Sequence, residues 1–188
     1  ADNLNNFEFA LQTLQQLSKI NLIPECILVG INQMERGKEL DRNFGENGKK
    51  FSEFIFNELV PYINSQYKSS EYNILIGHSD GASYNHYLMF QEDNPFNAFV
   101  NISEDIQKLF PFMDNNPYRE SLNKYKKYFL NYKGKEIKLF TASGNYDFWH
   151  RYEAGETIDS LFKAHPNKNV TFEHKIYPAE HNELVAYS

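Results

Sequence analysis

Ile74-Leu75-Ile76 runs without a break into Gly77-His78-Ser79-Asp80-Gly81, and this junction constrains the fold more than any other stretch of the chain. A short, continuous apolar run reads as a strand buried on both faces. A serine framed by glycines two before and two after it then marks a sharp strand-to-helix turn, where small residues let strand and helix pass closely. Ala82 and Ser83 come next, so the expected helix through Phe90 begins on small residues and aims its N-terminal N–H groups back at the serine. Five residues alone also fit a glycine-rich turn of some other α/β fold, so the rest of the chain must decide.

The order of elements agrees with the junction. Apolar positions from Phe7 to Leu17 recur at helical spacing and predict a helix ending before Pro24; Ile27-Leu28-Val29-Gly30-Ile31 reads as a buried strand. The polar segment 32–50, with Gly37, Gly45 and Gly48, reads as a long loop, and 51–67 resumes helical periodicity across Pro61. Strands are expected at 73–76, 98–102, 138–142 and 170–177, with helices in the elbow, at 118–132 and at 153–164, and irregular chain over 103–116. After the last strand, Pro178-Ala179-Glu180-His181 leads into a terminal helical turn. Five short strands alternating with helices predict an α/β fold, a parallel sheet with helices on both faces and its working edge at the strands' C-terminal ends.

Size and charge narrow the classes. At 188 residues with 41% hydrophobic content, 1–188 reads as one domain with a sizeable core. A net charge of -6, with only the short Lys124, Lys126, Lys127 cluster on one helix, argues against a nucleic-acid partner. No apolar stretch approaches the ~20 residues of a membrane span, and 1–5 has the character of neither part of a signal peptide. The single cysteine, Cys26, is expected as a small buried hydrophobe within the first strand. His150, His165 and His174 lack metal-ligand spacing, so neither metal nor cofactor is expected. Compartment and oligomeric state are left open.

A serine nucleophile on such an elbow needs a base and an orienting carboxylate, in the chain order serine, acid, histidine. Asp147 lies just past the fourth strand and His181 just past the fifth, so both loops open on the edge that carries Ser79. Asp105, Glu153 and Glu156 also sit near loop ends. Asp147 is preferred because it falls three residues past Gly144, whereas Glu153 is expected in the first turn of the next helix, where the dipole alone would favour it. His78 should pack under the elbow and His86 lie within its helix, neither needing a role in chemistry. Trp149 and His150 could line the pocket, although a loop aromatic is more often a packing anchor.

With these residues in view, the chain resembles the esterase family that includes esterase D and the enterobactin and bacillibactin esterases. The resemblance runs through Leu22-Ile23-Pro24-Glu25, 27–32, Phe54, 58–63, 74–79, 96–99 and Ile102-Ser103. It implies an α/β-hydrolase fold, ester hydrolysis through an acyl-enzyme on a small, siderophore-type or sugar-type ester, Ser79 as nucleophile, and His181 as base. It also matches Gly144 to Asp147 to the loop of the acidic residue. The N–H of Asp80 would serve as an oxyanion donor. Three departures accompany it: Asp80 and Ala82 stand where the family usually has an apolar residue and a second glycine; Glu104-Asp105-Ile106 replaces a proline with paired tryptophans; and the resemblance begins inside the family domain, so the preceding strands are expected upstream of Ala1. Acyl transfer to an alcohol, and a binding protein that keeps the fold without turnover, stay open as alternatives.

Overall fold

The computed structural model describes residues 2–40, 45–105, 117–183 and 185. They fall into two compact units, Ala1–Met34 and Glu35–Ser188. In the first, α1 (Asp2–Lys19) ends where Asn21 turns left-handed at φ 57° and Leu22 N–H returns to the Leu17 carbonyl at 3.0 Å. Residues 24–33 then run extended, with Gly30 so close to the Phe7 ring that an added Cβ would lie 3.1 Å from it. The expected strand at Ile27–Ile31 does not form: it has no sheet partner among the described residues, and Ile27 and Val29 are 45% and 38% exposed. An apolar run becomes a strand only where a neighbouring strand takes its backbone groups, and among the described residues of this unit α1 is the only regular element. Cys26 is consequently exposed as a free thiol, not buried.

The second unit opens with helices where the sequence reading expected a loop. A single turn, α2 (Arg36–Glu39), precedes α3 (Glu46–Phe54), a π-helical turn at Ile55–Leu59 and α4 (Val60–Gln66). Pro61 sits in the first turn of α4. Proline has no N–H and its ring crowds the carbonyl four residues earlier, so the widened turn directly before it accommodates the ring without breaking the helix.

Four strands, β1 (Ile74–His78), β2 (Ala98–Ile102), β3 (Ile137–Gly144) and β4 (Val170–Tyr177), pair in parallel in the order β1-β2-β3-β4. The intervening helices are α5 (Asp80–Met89), α6 (Pro117–Asn131) and α7 (Trp149–Ala164). The register puts Asn101 beside Thr141 and Thr141 beside His174, which defines one face of the sheet. Asn85 of α5 bonds Asn101 on that face at 3.0 Å, and Gly155 of α7 lies directly on the His174 ring. Between them Tyr125 and Phe129 of α6 meet Phe90 and Phe162, so α5, α6 and α7 line the same face over Phe99 and Leu139, with Ile158 of α7 fully buried. On the opposite face Ile74 and Ile76 stay 52% and 56% exposed. His78 pairs with Ile102, Ile102 with Ala142, and Gly144 with Tyr177, so all four strands end on one edge.

Candidate functional site

Ser79 stands between β1 and α5 at φ 58°, ψ -121°, a conformation a non-glycine residue adopts only when its surroundings impose it. Its N–H is held by the Ile102 carbonyl at 2.9 Å, and its carbonyl accepts from Ser83 N–H at 3.0 Å. The small residue this turn demands is Gly77, where a Cβ would meet the Gly81 and Ala82 backbone at 2.6–2.7 Å; at Gly81 itself nothing outside its own helix lies within 4 Å. Asp80 is the first residue of α5, so its N–H belongs to the outward-pointing set at a helix start.

Two other loops reach the same edge and are zipped together. Asn145 N–H bonds the Tyr177 carbonyl at 3.0 Å and Tyr146 N–H the Ala179 carbonyl at 3.3 Å; a side chain at Gly144 would strike the Ala179 carbonyl oxygen. Asp147 is thereby brought to His181, whose Nδ1 lies 3.2 and 3.1 Å from its two carboxylate oxygens. The Asp147 side chain is fully buried while His181 keeps 22% exposure. Burial alone would raise the Asp147 pKa and is the largest single influence. Bonds from His181, the Ser103 hydroxyl and Phe148 N–H (2.6 Å), with the attraction of His181, together outweigh it and hold the carboxyl below its ordinary value.

His181 also meets the elbow. Its ring lies 4.8 Å from that of His78, the residue before Ser79, and His78 Nε2–H donates to the His181 carbonyl at 2.9 Å. Burial, and then the neighbouring His181 and Arg151, depress the His78 pKa despite the opposing backbone bond. No hydrogen bond joins the Ser79 hydroxyl to His181, and none reaches His181 Nε2, among the described residues. Such bonds are often long before a substrate binds.

The structure thus brings Asp147, His181 and the elbow to one strand edge. Glu153 is exposed in the second turn of α7, which begins at Trp149, four residues earlier than the sequence reading put it. Asp105 is buried with its backbone on the Ser83 hydroxyl, and Glu156 is exposed against Tyr152. Trp149 is 68% exposed, Phe148 stands with its ring 6.0 Å from His181, and the His150 side chain lies outside the described residues, as does most of the 103–116 segment.

Sequence reasoning passed over Ser103, whose hydroxyl reaches both Asp147 and, at 2.6 Å, His181 Nδ1. It is fully buried and left-handed at φ 52°. Beside it a second buried group forms: Glu104 against His86 Nε2, Tyr125 against His86 Nδ1, and the Asn101 amide 2.9 Å from Nε2. Burial, then the Glu104 charge, pushes the Tyr125 hydroxyl pKa upward. The only legible signal for either group was an unusual run of polar residues at a strand exit. No helix among the described residues is long and apolar enough to cross a membrane.

No family profile and no curated protein sequence matches the chain. Solved structures do. An IroE-like serine hydrolase from Shewanella oneidensis matches with TM-score 0.82 and 22% identity over 99% of this chain, which spans 64% of that protein's length. The BES protein from Bacillus cereus matches with TM-score 0.76 and 18% identity, covering 100% of this chain and 77% of that one. The siderophore hydrolase EstA from Aspergillus nidulans matches with TM-score 0.65 and 14% identity, covering 98% and 76%. At these identities the likeness shows the fold, which is that of an α/β-hydrolase, and the resemblance seen in the sequence holds at that level.

Proposed function

We propose that this chain carries the centre of a serine esterase that works through an acyl-enzyme. Ser79 would attack an ester carbonyl, His181 Nε2 would take its proton and return it to the leaving alcohol, and Asp147 would orient the imidazole. The Asp80 N–H would be one donor to the oxyanion. The observation that carries this reading is the engagement of His181 Nδ1 by a buried carboxylate, with the same ring tilted against that of the residue that precedes a strained serine. Protonation at Nδ1 leaves Nε2 as the basic nitrogen, which is the tautomer a serine nucleophile requires. The depressed pKa of His78 also fits: a neutral neighbour does not repel the imidazolium that forms during attack.

The fold, together with relatives named as a serine hydrolase and a siderophore hydrolase, favours a small or siderophore-type or sugar-type ester as substrate. The test is presteady-state hydrolysis of an activated aryl ester, in which a burst of phenol equal to the enzyme concentration is expected, followed by slower turnover. Formation of the alkyl ester of the acyl group at the expense of free acid, rising with added alcohol, would assign acyl transfer instead. Absence of both burst and turnover would leave the fold as a binding scaffold.

A further inference from the structure

We infer that Ser103 is a positioning residue through which the Asp147 carboxylate also acts on His181; this rests on the serine-esterase reading. The closest neighbour of His181 Nδ1 is not the carboxylate, at 3.1–3.2 Å, but the Ser103 hydroxyl oxygen, at 2.6 Å. That oxygen also touches Asp147 Oδ2. Only one placement of protons satisfies all three groups. An ionised carboxylate can only accept, and Nδ1 must carry its proton if Nε2 is to be the base, so the Ser103 O–H donates to Asp147 while its oxygen accepts from Nδ1–H. The carboxylate therefore reaches the imidazole by two routes, one direct and one in series through the hydroxyl.

The backbone argues that the hydroxyl is what this position contributes. At φ 52° glycine would be unstrained, whereas serine pays for the left-handed turn. The turn is held from every side. Ser103 N–H bonds the Ala142 carbonyl at 2.8 Å, its carbonyl accepts from the buried Arg151 guanidinium of α7, and Asp105 N–H and carbonyl bond the Ser83 hydroxyl of α5 at 3.1 and 3.2 Å. Glu104 between them is fixed against His86 of the same helix. The helix that begins immediately after Ser79 thus helps to fix the hydroxyl that orients the base.

The test is a double-mutant cycle on an activated aryl ester. Ser103→Ala should lower kcat by roughly 10- to 100-fold with KM unchanged, the worth of a hydrogen bond to a charged group. In an Asp147→Asn background the same change should cost less than about threefold, because the series route is already broken. Ser103→Gly, which suits the backbone, should lose as much as Ser103→Ala and carries the cycle alone if the alanine variant does not fold. The downfield proton resonance of His181 Nδ1–H should shift in either variant. Full activity in Ser103→Gly, or an equal loss with and without the Asp147 carboxylate, would overturn the relay. A wild-type protein that hydrolyses the ester while both Ser103 variants match it sinks this proposal alone; a wild-type protein with no turnover and no burst sinks the esterase reading beneath it.

Discussion

Two histidines in this molecule are each surrounded by a carboxyl and a hydroxyl, and they are built from consecutive residues. Ser103 feeds the His181–Asp147 group, and Glu104 feeds the His86–Tyr125 group. The casts are nearly the same, yet the environments differ. His86 is fully buried with both ring nitrogens occupied, by Tyr125 on one side and by Glu104 and Asn101 on the other. His181 is partly exposed, and among the described residues only its Nδ1 is bonded to a neighbour. An imidazole can move a proton for a substrate only through a nitrogen that nothing else holds. A carboxyl–imidazole–hydroxyl cluster is therefore a tie at His86 and, on the proposed reading, the base at His181, and the difference lies in the second nitrogen.

The largest effect is expected at Ser79, the proposed nucleophile. Ser79→Ala should lower kcat for an activated ester by on the order of 10⁶-fold while leaving the thermal midpoint near wild type, measured by steady-state kinetics and calorimetry. On the proposed reading the Ser79 hydroxyl oxygen forms the bond to the acyl group, so its loss removes the reaction and not the fold. Residual turnover near wild type would move the chemistry away from β1.

Next in size is the carboxylate. Asp147→Asn should cost roughly 10,000-fold in kcat, as an amide can neither fix the Nδ1–H tautomer nor balance the imidazolium. Glu153→Gln, on an exposed turn of α7, should stay within a few-fold. A reversal of the two would give the acid's role to Glu153.

The sealed histidine should behave in the opposite way. His86→Ala strands Glu104 and Tyr125 without a partner, so urea unfolding should show a loss of about 1–3 kcal/mol or more, while kcat of the folded fraction changes far less than in Asp147→Asn. A large kcat loss with unchanged stability would mean that the two clusters are not distinct in kind. Gly144→Ala lies between these cases: its Cβ would strike the Ala179 carbonyl, so it should cost about 1–3 kcal/mol and also reduce kcat by parting the acid and base loops.

Acidification should produce the smallest effect. His78 and His174 have folded-state pKa values below the ordinary histidine value of 6.5, in each case chiefly through burial. The unfolded chain then takes up protons first, so their contribution is complete above pH 6.5 and is lost as pH falls below it towards the folded values. Asp147, lowered from the model-compound value of 3.8, adds stability that persists to lower pH and is lost only as pH drops through its depressed value. Urea midpoints between pH 8 and 3 should accordingly decline in two stages, and His78→Gln should shrink the upper one.

What was legible in the sequence follows the range of the forces involved. The elbow could be read because Gly77, Ser79 and the apolar run before them are consecutive and their geometry is local. Asp147 and His181 could be read because parallel strands end on a common edge, so a residue just past a strand is placed by topology alone. Ser103 could not, since its value comes from a left-handed turn imposed by Ala142, Arg151 and Ser83, none of them near it in sequence. His78, expected to pack under the elbow, also bonds the His181 carbonyl, 103 residues away. The failed strand at Ile27–Ile31 and the exposed Cys26 teach the same lesson from the other side: hydrophobicity marks a candidate strand, but pairing with another strand makes it one.

The most direct test of the central claim is covalent. The wild-type protein, treated with a fluorophosphonate at neutral pH and mapped by peptide mass spectrometry, should carry one adduct on Ser79, and labelling should slow sharply in Asp147→Asn and vanish in Ser79→Ala. An unlabelled wild-type protein, or an adduct on another residue that forms equally well in Ser79→Ala, would contradict the account.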